Sequence, residues 1–433
     1  MTDPKASATG TTRRGFLLTS SAMAGTAALN LTPNAFAGAS SPIKVGLIGC
    51  GGRGRGAAEN ICEAAGTTYN IKIHAVGDVF KDRVDDCLEH LRGNAASKDK
   101  LDVSDDRKFS GFDAFKHVTD CCDLVMLATP PGFRPQHIEY VLNAGKHLFT
   151  EKPVAVDGTG IRKVIAAAEV AKKKNLAVVA GTQRRHQAGY LESMKRIHDG
   201  ALGDLVTARV FWNQGNIWAH PRKEGWTDME YQLRNWYHFT WLCGDCIVEQ
   251  HVHNLDVACW AFKGHPVRAV GMGGQEVNTA PEYGESFDHF AVDYEFPNGV
   301  HVMSMARQIA GCESDVSEYL VGTKGRARLS PGNYQFEGEG LRRLRVRNEV
   351  NPYVQEHIDM LESITAGKPL NELVQVAEST LTAIMGRMSA YTGKAVTWDQ
   401  ALNSKLDTFP KELDFNAKVP GPKVAKPGVT PLV

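Results

Sequence analysis

Ile43-Lys44-Val45-Gly46-Leu47-Ile48-Gly49-Cys50-Gly51-Gly52-Arg53-Gly54 is the stretch on which the fold turns. Ile43 to Gly49 is short, apolar and β-branched, the pattern of a buried parallel strand. It runs straight into G-x-G-x-x-G, and Ala57, Ala58, Ile61 and Cys62 then recur at helical spacing. A second apolar run, Ile71 to Gly77, ends on Asp78. Each part has a physical task in dinucleotide binding. Gly49 permits a tight turn, Gly51 lets backbone approach a pyrophosphate, and Gly54 lets helix and strand pack closely. The helix start offers free N–H groups and a positive dipole end to phosphate. Asp78 is placed to accept from a ribose 2′-hydroxyl and to repel a 2′-phosphate, which selects NAD. Lys81 and Arg83 behind it keep NADP as the lesser alternative. A bare glycine motif carries little weight; strand, turn, helix, second strand and terminal acid in order carry much more.

The alternation continues outward. Leu124 to Thr129 reads as a strand broken by Pro130-Pro131. A helix with Ile138, Val141 and Leu142 on one face then stops at Gly145. His147 to Thr150 leads into Glu151-Lys152-Pro153, an Ala/Lys-rich helix runs to about Lys174, and Leu176 to Gly181 is the next strand. This order predicts a doubly wound parallel sheet with ligands at the strand C-terminal ends, where Thr129, Pro130, Glu151 and Lys152 fall. Beyond it, Phe290–Phe296 and Val300–Ala306 around Pro297-Asn298-Gly299 read as a hairpin. Leu205–Phe211 and Tyr319–Gly322 read as further strands, and Leu373–Tyr391 as a helix.

The 433 residues are 42% hydrophobic and 23% charged, enough for more than one packed domain and too apolar for wholesale disorder. Lys+Arg and Asp+Glu balance at 49 each, so no global basic field suits nucleic acid. Nine cysteines scattered over this length do not form a disulfide framework. Thr12-Arg13-Arg14-Gly15-Phe16-Leu17-Leu18, a mildly apolar run and Ala35-Phe36-Ala37 resemble a twin-arginine export signal. Residues 1–37 are therefore read as a signal cleaved near Ala37, with the twin-arginine translocase as transient partner and a periplasmic or secreted product. Thr19, Ser20, Ser21 and Thr26 interrupt the run, which excludes a stable membrane span.

The chain resembles the Gfo/Idh/MocA family of glucose–fructose oxidoreductase and inositol dehydrogenase. The resemblance rests on Gly49–Gly54, Asp78, Ala128-Thr129-Pro130, His137, Ala144-Gly145-Lys146-His147, Glu151-Lys152-Pro153 and Glu249-x-x-x-His253-x-x-Asp256, within residues 43 to about 400. It implies an α/β fold: an N-terminal Rossmann domain (41–180), then an α+β domain (181–410) with an open, mostly antiparallel sheet for substrate and oligomerisation. Residues 411–433 are read as a tail. It also implies NAD(P)-dependent chemistry on a secondary alcohol of a sugar, glycoside or polyol, and a homo-oligomer, dimer or tetramer. By position, Lys152 contacts the reacting hydroxyl, His253 is the proton acceptor, and Glu249 stands where the family has Asp. That departure leaves Glu249 and His251 as rivals to His253. The cofactor-binding set becomes Gly49, Cys50, Gly51, Gly52, Arg53, Gly54, Asp78, Arg83, Thr129, Pro130, His137, Glu151, Lys152 and Gln183.

The residue types fit this chemistry. Histidine titrates near neutrality and suits removal of a hydroxyl proton. An ammonium beside the same oxygen stabilises alkoxide character. If helical, Glu249, His253 and Asp256 share one face. No third ligand joins E-x-x-x-H, so no metal is expected, and Cys243-x-x-Cys246 is read as two buried thiols. Gln183-Arg184-Arg185-His186 sits at the domain junction, where Arg184, Arg185 and His186 either grip substrate or make interdomain salt bridges. Six of seven tryptophans lie between Trp212 and Trp260. Of that region, Trp236 and Tyr237 are singled out with Asp256 as substrate contacts, since aromatic rings pack on sugar C–H faces. Trp218 and His220 sit in a loop placed to roof the cleft.

Export of a folded protein into a space without a free NAD pool implies a cofactor loaded beforehand and retained. Two alternatives stay open: a glycoside hydrolase or lyase acting through a transient keto-sugar, and a redox-incompetent nucleotide or sugar binder.

Overall fold

A computed structural model describes residues 41–419 and 421–433. The export-signal reading of residues 1–37 lies outside them. No helix among the described residues is long and apolar enough to cross a membrane.

The first domain is built on a six-stranded parallel sheet: β1 (Ile43–Ile48), β2 (Ile71–Asp78), β3 (Lys108–Ser110), β4 (Leu124–Leu127), β5 (His147–Thr150) and β6 (Val178–Ala180). Their order is β3-β2-β1-β4-β5-β6. The order reverses between β1 and β4, where a doubly wound sheet opens its ligand crevice. Helices α1 (Gly52–Ala65), α2 (Lys81–Gly93), α3 (Ala114–Cys121), α4 (Arg134–Asn143) and α5 (Gly158–Lys173) make the crossovers. Strands β1 and β4 are buried nearly throughout, which is why they read as continuous apolar runs rather than alternating ones.

The second domain carries an eight-stranded mixed sheet: β7 (Leu205–Gln214), β8 (Arg268–Gly274), β9 (His289–Phe296), β10 (Val300–Gln308), β11 (Asp315–Gly322), β12 (Gly325–Ser330), β13 (Asn333–Gly338) and β14 (Val396–Thr397). The order is β13-β12-β11-β7-β10-β9-β8-β14, and only β7–β10 is parallel. The β9–β10 hairpin forms in the expected place. Helices α6 (Ala188–His198), α7 (Asp228–Arg234), α8 (Thr240–Cys243), α9 (Cys246–Glu249), α10 (Val252–Phe262), α11 (Pro352–Thr365), α12 (Leu373–Thr392) and α13 (Trp398–Leu402) complete the chain. α10 and α12 cover one face of this sheet. The other face leaves Val270, Met272, Met303 and Met305 exposed.

Three features differ from the sequence reading. The segment Glu249–Asp256 is not one helix: α9 ends at Glu249, and a new helix begins at Val252 after a break at Gln250–His251. Helix α11, inside the range assigned to the second domain, returns to the first. Its Met360, Leu361 and Ile364 join the core of Ile43, Ile61 and Leu124 and pack on α1. The stretch read as a tail is docked at its start: Leu413, Phe415 and Val419, with Phe409 just before it, pack with Phe80, Phe133, Leu233 and Trp241.

Candidate active site

A cavity of about 440 Å³ follows the C-terminal ends of β1, β2 and β4. Its first-domain wall holds Gly49, Gly51, Gly52, Arg53, Gly54, Asp78, Arg83, Thr129, Pro130 and His137; its second-domain wall holds Trp218, His220, Leu233, Arg234 and Trp236. Gly49 has φ +93°, and a Cβ on Gly54 would lie 1.8 Å from the Gly49 carbonyl oxygen, so both glycines are required by the turn itself. Gly51 and Gly52 are different: open space lies where their Cβ atoms would stand. That bare backbone, at the start of a helix with unpaired N–H groups, is the cradle a pyrophosphate needs.

Asp78 ends β2 at the cavity edge. One carboxylate oxygen accepts from the Cys50 N–H at 2.7 Å and the other from the Phe80 N–H at 3.0 Å. The carboxylate therefore ties the Gly-rich turn to the β2–α2 corner and keeps free lone pairs for a ribose hydroxyl. Cys50 itself is buried beneath the turn. His137 is held between Phe115 and Phe133 at ring distances of 4.1 and 5.7 Å, with Nδ1 3.3 Å from Thr129 Oγ1. Burial, then the nearby Arg134 cation, lowers its pKa to about 3, so it is a neutral ring.

Arg53 reaches away from the turn. It donates to Glu151, lies 3.5 Å from Glu356 and stacks 4.9 Å over the Tyr353 ring, whose hydroxyl accepts from Gln183. Glu356 is fully buried on α11, and burial followed by the charge of Glu151 pushes its carboxyl well up.

Lys152, Glu249 and His253 come together at the junction. The Lys152 ammonium donates to the Glu249 backbone carbonyl and lies 3.4 Å from its carboxylate. All three residues are buried, at 8%, 7% and 7% exposure. They lie beyond the lining of the large cavity. Burial raises the Glu249 carboxyl against the pull of Lys152 and Arg134, and its Oε2 has no hydrogen-bond partner among the described residues. His253 stacks its ring on Trp212 at 5.6 Å, while its backbone N–H donates to the Gln250 carbonyl. Burial, then the Lys152 and Arg184 cations, drives its pKa well below the usual histidine range. The ammonium thus meets a buried carboxylate, and its charge reaches a neutral imidazole. His251 is elsewhere: its Nε2 is 2.6 Å from Ser304 Oγ against the sheet, and burial lowers it to about 3.

The remaining expected substrate contacts are committed within the protein. Arg185 donates to both Asp256 oxygens at 2.8–3.0 Å and stacks on Trp260 at 4.9 Å, while Asp256 also accepts from Ser379 at 2.6 Å. His186 lies between Asp359 at 2.6 Å and Glu372 at 3.3 Å. Burial alone would lower its pKa, but these two carboxylates raise it to about 10. The buried Tyr237 hydroxyl accepts from Gln308 at 2.8 Å. None of these four lines the large cavity; Trp236 does. Cys243 and Cys246 are buried free thiols.

Residues that sequence reasoning did not single out include Arg234 and Tyr353. Arg184, like Arg185, is held in an ion pair: it pairs with the buried Glu318, which also accepts from Tyr190 at 2.9 Å and Asn254 at 2.5 Å.

Residues 43–181 match the oxidoreductase family with NAD-binding Rossmann fold, and residues 190–328 match the GFO/IDH/MocA C-terminal domain. The chain spans about half the length of the first curated relatives it matches, 45% and 51%. An inositol 2-dehydrogenase of Rubrobacter xylanophilus is 26% identical over 68% of this chain and 73% of that protein. Among solved structures, the aldose–aldose oxidoreductase of Caulobacter crescentus superimposes with a TM-score of 0.63 at 19% identity, covering 82% of this chain and all of that one. The scyllo-inositol dehydrogenase of Lactobacillus casei, solved with NAD(H) and scyllo-inositol, gives 0.61 at 19% identity over 83% and 99%. With a parallel sheet opening on a glycine cradle and a mixed-sheet domain behind it, the chain belongs to the Gfo/Idh/MocA family of oxidoreductases, and its first domain is that family's NAD-binding Rossmann domain.

Proposed function

We propose that the protein is an exported NAD-dependent oxidoreductase acting on a secondary alcohol, or the matching ketone, of a sugar, glycoside or polyol. The observation that carries this reading is the contact of Lys152, just after β5, with Glu249 of the second domain; Lys152 is next in sequence to Glu151, which pairs with Arg53 of the Gly-rich turn. When bound, the nicotinamide supplies hydride acceptance or donation. Gly49, Cys50, Gly51, Gly52, Arg53, Gly54, Asp78 and Thr129 hold the nucleotide, with Arg83, Pro130, His137, Glu151 and Gln183 around them. The Lys152 ammonium faces the substrate oxygen and stabilises its negative charge. Neutral His253 takes the hydroxyl proton, and Glu249 holds Lys152 in place. Trp236 offers an aromatic face to the sugar ring.

Three further parts belong to the same reading: export by the twin-arginine route, a nucleotide retained through turnover, and self-association. The uncovered row of Met272, Ala291, Met305 and Phe211, aligned across β8, β9, β10 and β7, is the surface assigned to a second copy. A panel of sugars and glycosides screened for reduction of bound nucleotide tests the activity. Turnover of none of them, by protein loaded with NAD, overturns it; release of aglycone without net NADH moves the reaction to the keto-sugar elimination.

A further inference from the structure

The Asp78 end of the cavity is lined in part by residues far from the Gly-rich turn, and Phe415 stands behind that lining. Arg234, the last residue of α7, lies with its guanidinium 3.8 Å from the Phe80 ring centroid. Two of its nitrogens donate to the Asp82 carboxylate at 2.9 and 3.3 Å, and its Nε donates to Glu230 at 2.9 Å. Phe80 and Asp82 follow Asp78 directly, so this second-domain arginine is pinned across the corner beyond the ribose position. Phe415, from the segment after α13, packs on Phe80 at 5.7 Å and on Phe112 at 5.2 Å. Phe80, Phe112 and Arg234 all line the cavity. The segment is anchored before Phe415: Thr408 donates from N and Oγ1 to Asp157 at 3.1 Å, and Phe409 packs edge-on to Phe133 at 5.3 Å.

We propose that Arg234 and Phe415 form a clamp over the adenosine half of the dinucleotide, so that the nucleotide site is completed by the second domain and the C-terminal segment rather than by the Rossmann domain alone. The chemistry is that of an adenine: a flat aromatic ring is met by apolar faces at Phe80 and Phe112 and by a planar cation at Arg234. Nothing else in the Rossmann motif requires α7 or residues 408–419 to be there. A nucleotide in this cavity leaves after the Arg234–Asp82 ion pair opens or Phe415 withdraws, which makes release slow and ties it to domain movement. The clamp rests on the NAD reading and gives retention a structural cause.

The test is the release rate of NADH from the loaded full-length protein, followed by nucleotide fluorescence during a chase with excess NAD. Arg234→Ala and Phe415→Ala are each expected to speed release at least tenfold. Arg234→Lys, which keeps the charge for Asp82 but loses the planar face over Phe80, is expected to fall between. Arg326→Ala, which breaks a surface pair with Glu337 on the remote β12–β13 hairpin, is expected to match the parent protein. Release rates within twofold of the parent in both alanine variants overturn the clamp. If Phe415→Ala fails to fold, Phe415→Leu and the arginine pair decide the matter. A parent protein that purifies empty overturns retention, yet the ratio of variant to parent rates for added NADH still decides the clamp.

Discussion

The Lys152 ammonium, at the end of the last but one strand of the first sheet, reaches Glu249, 97 residues onward in the other domain, and contacts both its backbone carbonyl and its carboxylate. Each charge is nearly sequestered from water, so each depends on the other: an unpaired ion here would face the full cost of desolvation. The pair also fixes where the ammonium points, close enough that burial and its charge together hold the His253 ring neutral.

On the proposed function, replacing Lys152 by alanine should lower kcat/KM by at least about 100-fold, because the positive charge assigned to the substrate oxygen is removed. The same change leaves Glu249 buried without its partner and should destabilise by roughly 3 kcal/mol. In Lys152→Met/Glu249→Gln the stability should return while the activity stays lost. Steady-state kinetics beside urea melts check both; an active Lys152→Ala enzyme removes this residue from the chemistry.

Stability should peak near pH 6.5 and fall on both sides. His137 and His251 at about 3 and His147 at about 4 are held below the unfolded value of about 6.5. The unfolded chain therefore binds more protons between pH 6.5 and 3, and stability drops as pH falls through that window. His186 has the opposite sign. Its folded pKa of about 10 gives stability that is complete below 6.5 and is lost as pH rises toward 10. Urea midpoints across pH 4 to 10 report the two limbs, and His186→Asn should flatten the alkaline one. An unchanged alkaline slope in that variant is the contrary result.

Two glycines three residues apart should fail in different ways. Gly54→Ala forces a methyl group against the Gly49 carbonyl and should cost several kcal/mol or unfold the turn. At Gly51 an added Cβ meets no neighbour, so Gly51→Ala should leave folding nearly unaffected while NADH affinity falls at least tenfold, the methyl group occupying the pyrophosphate cradle. Thermal melts paired with nucleotide titration separate the cases.

Asp78→Asn should narrow the preference for NAD over NADP by tenfold or more, since repulsion of the 2′-phosphate is removed. Both backbone bonds from Cys50 and Phe80 find an acceptor only in part, so a modest loss of stability accompanies it. The ratio of kcat/KM for the two nucleotides is the measurement.

The first domain was legible because its information is local. A buried strand, an obligatory glycine turn and a terminal acid lie within 36 residues, Ile43 to Asp78, and each has a periodicity or steric signature. Lys152, Glu249 and His253 were reachable through motif resemblance, and the first two are in contact. The helix break at Gln250–His251 was not legible, because Glu249, His253 and Asp256 fit helical spacing whether or not the backbone is continuous. Partners 71 residues apart, as in Arg185–Asp256, leave no trace in either local sequence. The docked segment around Phe415 was hidden by composition: its Pro and Lys content resembles a solvated tail, while its few apolar residues follow no repeat.

Placing the ammonium and the imidazole on opposite sides of the interdomain boundary has a practical corollary. Cut after β6, the chain would yield one fragment with the glycine cradle but without α11 and the second-domain wall of the cavity, and another with His253 but no cradle. Both would be inert, and turnover on mixing would measure nothing except how well the halves find each other again.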